Sequence, residues 1–327
     1  MEIPLVDFSG CGLEVDLVSK EMMESVGNEI YKAFSEVGFV YLVHCGVPSE
    51  LVDDVMKVSN HFFLMSSDAK RKYKFDENYS GYHEFLKEGT NPQRPKDIKE
   101  SYQVGGMALD SGQISWPDVE VPGFSTNLMK LFEECKKLSM RILEVLATGM
   151  KIKDKEYFLQ CHSRIGKERN YTTLRSLYYP PVPENADVKS NQIRLGEHSD
   201  FGTMTLLFQD DIGGLEVETY NGEYIEAKPI PGTVLVNIGD LLQFWTNGRL
   251  KSTKHRIMIP TEESKRKRHR QSLAYFVHPN YEVKLTEIEY EASGSQFTNY
   301  SKHFTSDYDR NVTAVEYTEA RYKNTYR

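Results

Sequence analysis

Apolar side chains at Val26, Ile30, Ala33, Phe34 and Val37 recur every three or four positions, which predicts a helix within residues 16–37 with one buried stripe. Gly38 stops it, and the unbroken apolar run Phe39-Val40-Tyr41-Leu42-Val43 reads as a short strand. A second helix is expected from Ser49, whose hydroxyl can cap the free amides of the first turn, to about Phe63. Between Glu77 and about Val121 the periodicity is weak and Gly, Pro, Asp and Lys are frequent, so this stretch reads as long loops, a length at which loops often carry function. A long helix is expected from about Ser125 to Gly149, with Leu128, Leu131, Phe132, Cys135, Leu138, Ile142, Val145 and Leu146 facing inward.

Beyond Thr172 the pattern changes to period two. Residues 174–179, 204–208, 233–237 and 273–277 are short apolar runs between turn residues, which imply a barrel or double-sheet roll. No internal repeat and no linker interrupts the 327 residues. A helical and loop region, residues 1–121, and a long helix with a β-rich core, residues 122–327, therefore read as parts of one unit.

Composition narrows the function classes. With 39% apolar and 27% charged residues the chain is ordinary for a folded protein, and its net charge of −8 gives no broad reason to bind nucleic acid or an anionic membrane. The one basic run, Lys265-Arg266-Lys267-Arg268-His269-Arg270, reads as a solvated loop between two strands. The N-terminus lacks the features of a secretory signal and no stretch is long enough to span a bilayer, so a cytoplasmic protein without a membrane partner is expected, with a monomer as the default. Cys11, Cys45, Cys135 and Cys161 are far apart and read as reduced thiols.

Candidate chemistry begins at His198-Ser199-Asp200. Residues two apart in a strand share a face, so one metal could touch both side chains. With nine histidines in the chain that spacing alone carries little weight. His255, beside another strand pattern, completes two imidazoles and a carboxylate, a set that suits iron(II) with open sites for an oxidant, or a hydrolytic zinc. Arg270 and Ser272 alternate onto one face of the next strand. A guanidinium fork with a neighbouring hydroxyl suits a carboxylate, a feature that separates the iron reading from the hydrolytic zinc one.

These residues lie within a longer series that resembles the 2-oxoglutarate and iron(II)-dependent oxygenases of the isopenicillin N synthase-like type. The likeness runs from Ile3-Pro4-Leu5-Val6-Asp7-Phe8, Gly38–Leu42, Gly46-Val47-Pro48 and His61-Phe62-Phe63 through Gly81-Tyr82 and Lys99–Tyr102. It continues through Tyr178-Tyr179-Pro180-Pro181, Gly213-Gly214-Leu215, Asn237–Asp240, Ser252–Arg256 and Arg270-Gln271-Ser272. It implies an α+β, mainly β fold, a double-stranded β-helix (jelly roll) with flanking N-terminal and long central helices. It also implies iron held by His198, Asp200 and His255, and 2-oxoglutarate held by Arg270, Ser272 and Tyr179. The implied activity is O2-dependent oxidation, by default hydroxylation, of a small molecule, with conversion of 2-oxoglutarate to succinate and CO2 and support from ascorbate. By the same likeness Tyr82, Tyr102, Phe201 and the region of Tyr322 are candidates to line a substrate pocket.

The chain departs from the family pattern in three places. Leu177 stands where many members have Asn, His44-Cys45 replaces the usual Asn-His, and residues 261–269 lengthen the interval from His255 to Arg270 by a charged loop expected outside the barrel. Two readings remain beside the dioxygenase: a 2-oxoglutarate-independent iron oxidase of the same fold, and a non-catalytic small-molecule-binding jelly roll.

Overall fold

The computed structural model describes residues 2–76, 79–184, 186, 188–291 and 311–325; Glu77, the start of the expected loop region, lies outside them. The described strands are β1 (Leu5–Asp7), β2 (Phe39–Val43), β3 (Gly81–His83), β4 (Glu100–Gly105), β5 (Thr173–Tyr179), β6 (Leu195–His198), β7 (Met204–Gln209), β8 (Leu215–Glu218), β9 (Tyr224–Glu226), β10 (Thr233–Ile238), β11 (His255–Ile257) and β12 (Arg270–Val277). They form two sheets, a large one in the order β1-β2-β10-β7-β12-β5-β4-β3 and a small one in the order β6-β11-β8-β9. Every pairing is antiparallel except β1 with β2.

Alternation along the large sheet explains how its strands face two cores. Phe39 and Tyr41 of β2, Leu177 and Tyr179 of β5, Leu235 of β10 and Ala274 of β12 meet Leu195, Leu215, Val217 and Ile257 of the small sheet, forming the inside of the jelly roll. Their neighbours Val40, Leu42, Leu174, Leu206, Val234, Val236, Leu273 and Tyr275 point the other way into a helical layer. Both faces are covered, which is why Phe39–Val43 is apolar without a break.

The helices are α1 (Lys20–Glu36), α2 (Ser49–Phe63), α3 (Ser67–Arg71), α4 (Gly106–Ser111), α5 (Phe124–Gly149), α6 (Tyr157–Cys161), α7 (Asp240–Trp245), α8 (Glu263–Arg266) and α9 (Ala314–Thr325). All eight residues expected on the inward face of α5 are buried. The Ser19 hydroxyl accepts the Met22 amide at the start of α1. Ser49 does not cap α2: the cap position belongs to Pro48, whose ring carries no hydrogen-bond acceptor, and Ser49 is the first helical residue. Gly38, at φ 82°, makes the turn from α1 into β2, and a Cβ there would lie 2.4 Å from the Lys251 carbonyl oxygen.

Two expectations change. The loop region contains β3, β4 and α4, and β4 is a full partner of β5. Its polar residues are buried because they pair with one another: Lys70 Nζ lies 2.6 Å from Glu100, and Ser101 Oγ accepts the Arg175 Nε–H at 2.9 Å. The charged loop does lie outside the barrel. Part of it forms α8, and its cations meet local acids, Lys267 with Glu263 at 2.6 Å and Arg268 with Asp211 at 2.7 Å.

Candidate metal centre

His198 closes β6 and His255 opens β11, and the two are directly opposed across the antiparallel pair. Their ring centroids are 4.3 Å apart. The His198 Nδ1 lies 2.8 Å from the Gly196 carbonyl oxygen and the His255 Nδ1 3.1 Å from that of Thr253. With each Nδ1–H donated to a backbone carbonyl, both Nε2 lone pairs turn inward. They approach Asp200 Oδ1 at 3.7 and 3.8 Å, and one ligand atom from each residue lies within 4.8 Å of the others. The ring of Phe39 stands edge-on to His255 at 5.4 Å and walls the centre on one side.

Asp200 is not on a strand with His198, because β6 ends at that histidine. A turn carries it instead, clasped by backbone bonds to the start of α7: the amides of Gly239, Asp240 and Leu241 donate to the carbonyls of Thr203, Asp200 and Phe201. Only a glycine fits the clasp, since a Cβ on Gly239 would stand 2.2 Å from the Gly202 carbonyl oxygen. Asp200 Oδ2 accepts from Thr205 Oγ1 at 2.6 Å and from Asn237 Nδ2 at 2.7 Å, which leaves Oδ1 to face the imidazoles.

The electrostatics favour the ligating forms. Burial, reinforced by His255 and opposed by Asp200, lowers the His198 imidazole to about 4, so it is neutral near pH 7. Burial raises the Asp200 carboxyl, but the two imidazoles and the bonds from Asn237 and Thr205 outweigh it and hold the group below its ordinary value. One anionic oxygen beside two inward-facing imidazole nitrogens fits a divalent cation, and this donor set by itself suits iron or zinc.

Asn237 should matter without touching the metal. Loss of such supporting bonds generally costs about 10- to 100-fold in metal affinity. Asn237→Ala is therefore expected to weaken iron(II) binding about tenfold or more in an anaerobic chelator competition, with the circular dichroism spectrum unchanged. Unaltered affinity would mean that Thr205 alone orients the carboxylate.

Over this centre opens a cleft. Its lining combines the apolar and aromatic Leu177, Leu195, Phe201, Phe276 and Tyr322 with the polar Thr90, Lys99, Gln103 and Arg175. Phe201 meets Tyr322 edge-on at 5.2 Å. Lys99 lies 3.5 Å from Glu88 and 3.7 Å from Asp97, and Arg175 bonds Glu88 and Ser101. Phe201 and Tyr322 are thus where the sequence suggested, but Tyr82 and Tyr102 are not. Tyr102 is fully buried among Phe62, Trp116 and Phe124, and its hydroxyl donates to the Ser115 carbonyl at 3.0 Å. Tyr82, its cross-strand partner on β3, donates to Glu100 on the same side. The face toward the cleft belongs to the next residue, Gln103, since a step of one in a strand reverses the side. Arg175, an arginine within an otherwise apolar strand, was the signal the sequence did offer for this wall.

Deeper in the roll, Arg270 is fully buried. Its Nε donates to the Gly213 carbonyl at 3.0 Å, Nη1 to Ser272 Oγ at 3.2 Å and Nη2 to Gln209 Oε1 at 3.1 Å. Tyr179 is its cross-strand partner, with the guanidinium 5.0 Å from the ring centroid. Burial raises the Tyr179 phenol against the pull of Arg270 and Ser272, so it stays protonated and able to donate. Leu177 faces Ser272 across the strands and adds no polar contact. All three of these bonds go to uncharged groups, so the pocket holds a buried cation with room in its chemistry for an anion.

Comparison with known proteins agrees with this geometry. The family described as the 2OG-Fe(II) oxygenase superfamily matches residues 170–279, and the one described as non-haem dioxygenase in morphine synthesis N-terminal matches residues 3–119. A 2-oxoglutarate-dependent dioxygenase of Aspergillus rugulosus, htyE, is 30% identical over 320 residues, covering 91% of this chain and 92% of that protein. A proline hydroxylase of Petromyces alliaceus, buaE, is 29% identical over 93% of this chain and 94% of its own. A full-length Neurospora crassa protein solved with alpha-KG and thymine superposes with a TM-score of 0.79 at 31% identity, covering 99% of this chain and 97% of that one.

Proposed function

The chain belongs to the 2-oxoglutarate and iron(II)-dependent oxygenase superfamily, and on that premise we propose that His198, Asp200 and His255 hold the iron while Arg270, Ser272 and Tyr179 hold the far carboxylate of 2-oxoglutarate. The protein is a dioxygenase that oxidises a small molecule and converts 2-oxoglutarate to succinate and CO2. The observation that carries the residue assignment is the pairing, inside one roll, of two inward-facing imidazole nitrogens with a fully buried Arg270 whose hydrogen bonds through Nε, Nη1 and Nη2 go to neutral groups.

Bound iron and 2-oxoglutarate supply the oxidant from O2; the chain's own residues determine where it acts. Neutral His198 and anionic Asp200 offer their lone pairs without first losing a proton at neutral pH. Leu177, Leu195 and Phe39 keep the surroundings apolar, which limits side reactions with water. The substrate enters the cleft between the Phe201–Tyr322 rings and the wall of Gln103, Lys99 and Arg175. That slot suits a small, flat molecule with polar edges, a description that thymine, bound by the Neurospora neighbour, also meets. Hydroxylation is the reaction we assign, performed by a cytosolic monomer with no nucleic-acid partner. Among the described residues no helix is long and apolar enough to cross a membrane.

The test is succinate production from 2-oxoglutarate by anaerobically iron-loaded protein given O2, ascorbate and a panel of small planar heterocycles. Succinate rising together with an oxidised product is the expected result. Substrate oxidation without succinate would replace this reading by the 2-oxoglutarate-independent oxidase, and retention of function by zinc-loaded protein would replace it by a hydrolase.

A further inference from the structure

Arg194 is a second arginine with no exposure at all, and with Arg270 it heads the largest fully buried side chains of the described residues. Their situations differ. Arg270 uses Nε, Nη1 and Nη2 in hydrogen bonds. Arg194 donates only Nη2, to the Arg268 carbonyl at 3.2 Å, and its Nε and Nη1 are buried without a partner. The Arg268 carbonyl that Arg194 holds lies two residues before Arg270, and burial first, then Arg270, lowers the Arg194 guanidinium to about 10, while Asp210 and Tyr179 act in the opposite sense.

Asp210 is the acid that bears on this pair, and its oxygens are already engaged by the Gln271 amide at 2.5 Å and the Ile212 amide at 3.1 Å. Among the described residues neither guanidinium makes an ion pair: Arg270 bonds three uncharged groups and Arg194 one backbone carbonyl. An unpaired buried charge is destabilising, and orphaned donors add to that cost. An arrangement of this kind is stable when a ligand brings the missing anion.

We propose that Arg194 is a second cationic anchor for the far carboxylate of 2-oxoglutarate, which it shares with Arg270. The inference rests on the co-substrate reading above and extends it to a residue outside the Arg270, Ser272 and Tyr179 set. Two guanidinium forks around one carboxylate leave few of its lone pairs free, and they discriminate strongly against an oxoacid that lacks that group.

The ligand itself provides the control. Binding of 2-oxoglutarate and of 2-oxopentanoate, which has the same oxoacid head without the far carboxylate, is measured by calorimetry on manganese-loaded protein, where no turnover intervenes. Arg194→Met is expected to weaken 2-oxoglutarate about ten- to a hundredfold and to leave 2-oxopentanoate unchanged, with Arg194→Lys intermediate. Equal weakening of both ligands, or of neither, would overturn the proposal and leave Arg194 a packing residue. If the Met variant fails to fold, the Lys variant decides, because it keeps the charge and loses the fork: its preference for 2-oxoglutarate over 2-oxopentanoate must fall. Arg270→Met separates the two layers. A wild type with no preference between the ligands refutes the co-substrate reading itself, whereas a preference lost in Arg270→Met and retained in Arg194→Met refutes only the role of Arg194.

Discussion

Asp200→Ala is expected to abolish iron(II) binding, and turnover with it, while the fold survives. The substitution removes the one carboxylate of the proposed triad and leaves two imidazoles opposed across β6 and β11, a pair with no negative charge to offset that of the metal. It also leaves Thr205 Oγ1 and Asn237 Nδ2 without the carboxylate oxygen they now bond. Each orphaned donor costs about 1–3 kcal/mol, offset in part because a buried carboxylate no longer has to be accommodated. A fall of a few degrees in Tm is the expected outcome, not unfolding, since the clasp between the Asp200 turn and α7 is made by backbone groups. Iron content after anaerobic loading, read beside the melting curve, checks it. Stoichiometric iron in the variant would remove Asp200 from the ligand set.

The parts of this architecture that the sequence announces are those whose burial is one-sided or complete. The stripe of α5 and the apolar run of β2 lie against cores that admit nothing polar, so period and composition agree there with the structure. Three kinds of element escaped. β4, which pairs with β3, carries buried Glu100 and Ser101, whose partners come from residues as distant as Lys70 and Arg175; nothing local reveals that these groups will be matched. The strands of the small sheet are three or four residues long, too short for a period to show, yet this sheet supplies both histidines. And α9, which brings Tyr322 to the cleft, has a weak apolar stripe and is placed by long-range bonds such as Tyr317 Oη to the Asp240 carbonyl at 3.2 Å. Motif resemblance singled out His198, Asp200, His255, Arg270 and Ser272 as candidates, but it could not tell Tyr102 from Gln103, because side selection in β4 depends on its register with β5.

Division of labour between the sheets follows from these lengths. The long strands β5 and β12 pair over seven residues, from Arg270 with Tyr179 to Phe276 with Thr173, and can hold a buried guanidinium rigidly. The short strands β6 and β11 meet only at His255 with His198 and Ile257 with Leu195, with an irregularity between. The metal ligands thus depend on carbonyl bonds and the Asp200 clasp for orientation more than on sheet pairing, which is why the supporting bonds of Asn237 and Thr205 are expected to matter.

Arg270→Met should separate co-substrate binding from stability. Methionine keeps much of the volume and the apolar stem while removing the fork. A carboxylate left without its buried charged partner generally loses 2–5 kcal/mol of binding, so the Kd for 2-oxoglutarate is expected to rise about a hundredfold or more. The unliganded protein should behave in the opposite way. Arg270 is completely buried and its Nε, Nη1 and Nη2 donate to Gly213, Ser272 and Gln209, none of them charged, so removing the cation relieves a desolvation cost. The apo variant is accordingly expected to melt at the wild-type temperature or slightly above it, with 2-oxoglutarate stabilising the wild type and not the variant. A thermal-shift titration at fixed metal reads both effects in one experiment. A variant that gains as much stability from 2-oxoglutarate as the wild type does would show that the co-substrate's far carboxylate is held elsewhere, and Arg270 would then be a structural cation whose loss should have lowered the apo Tm.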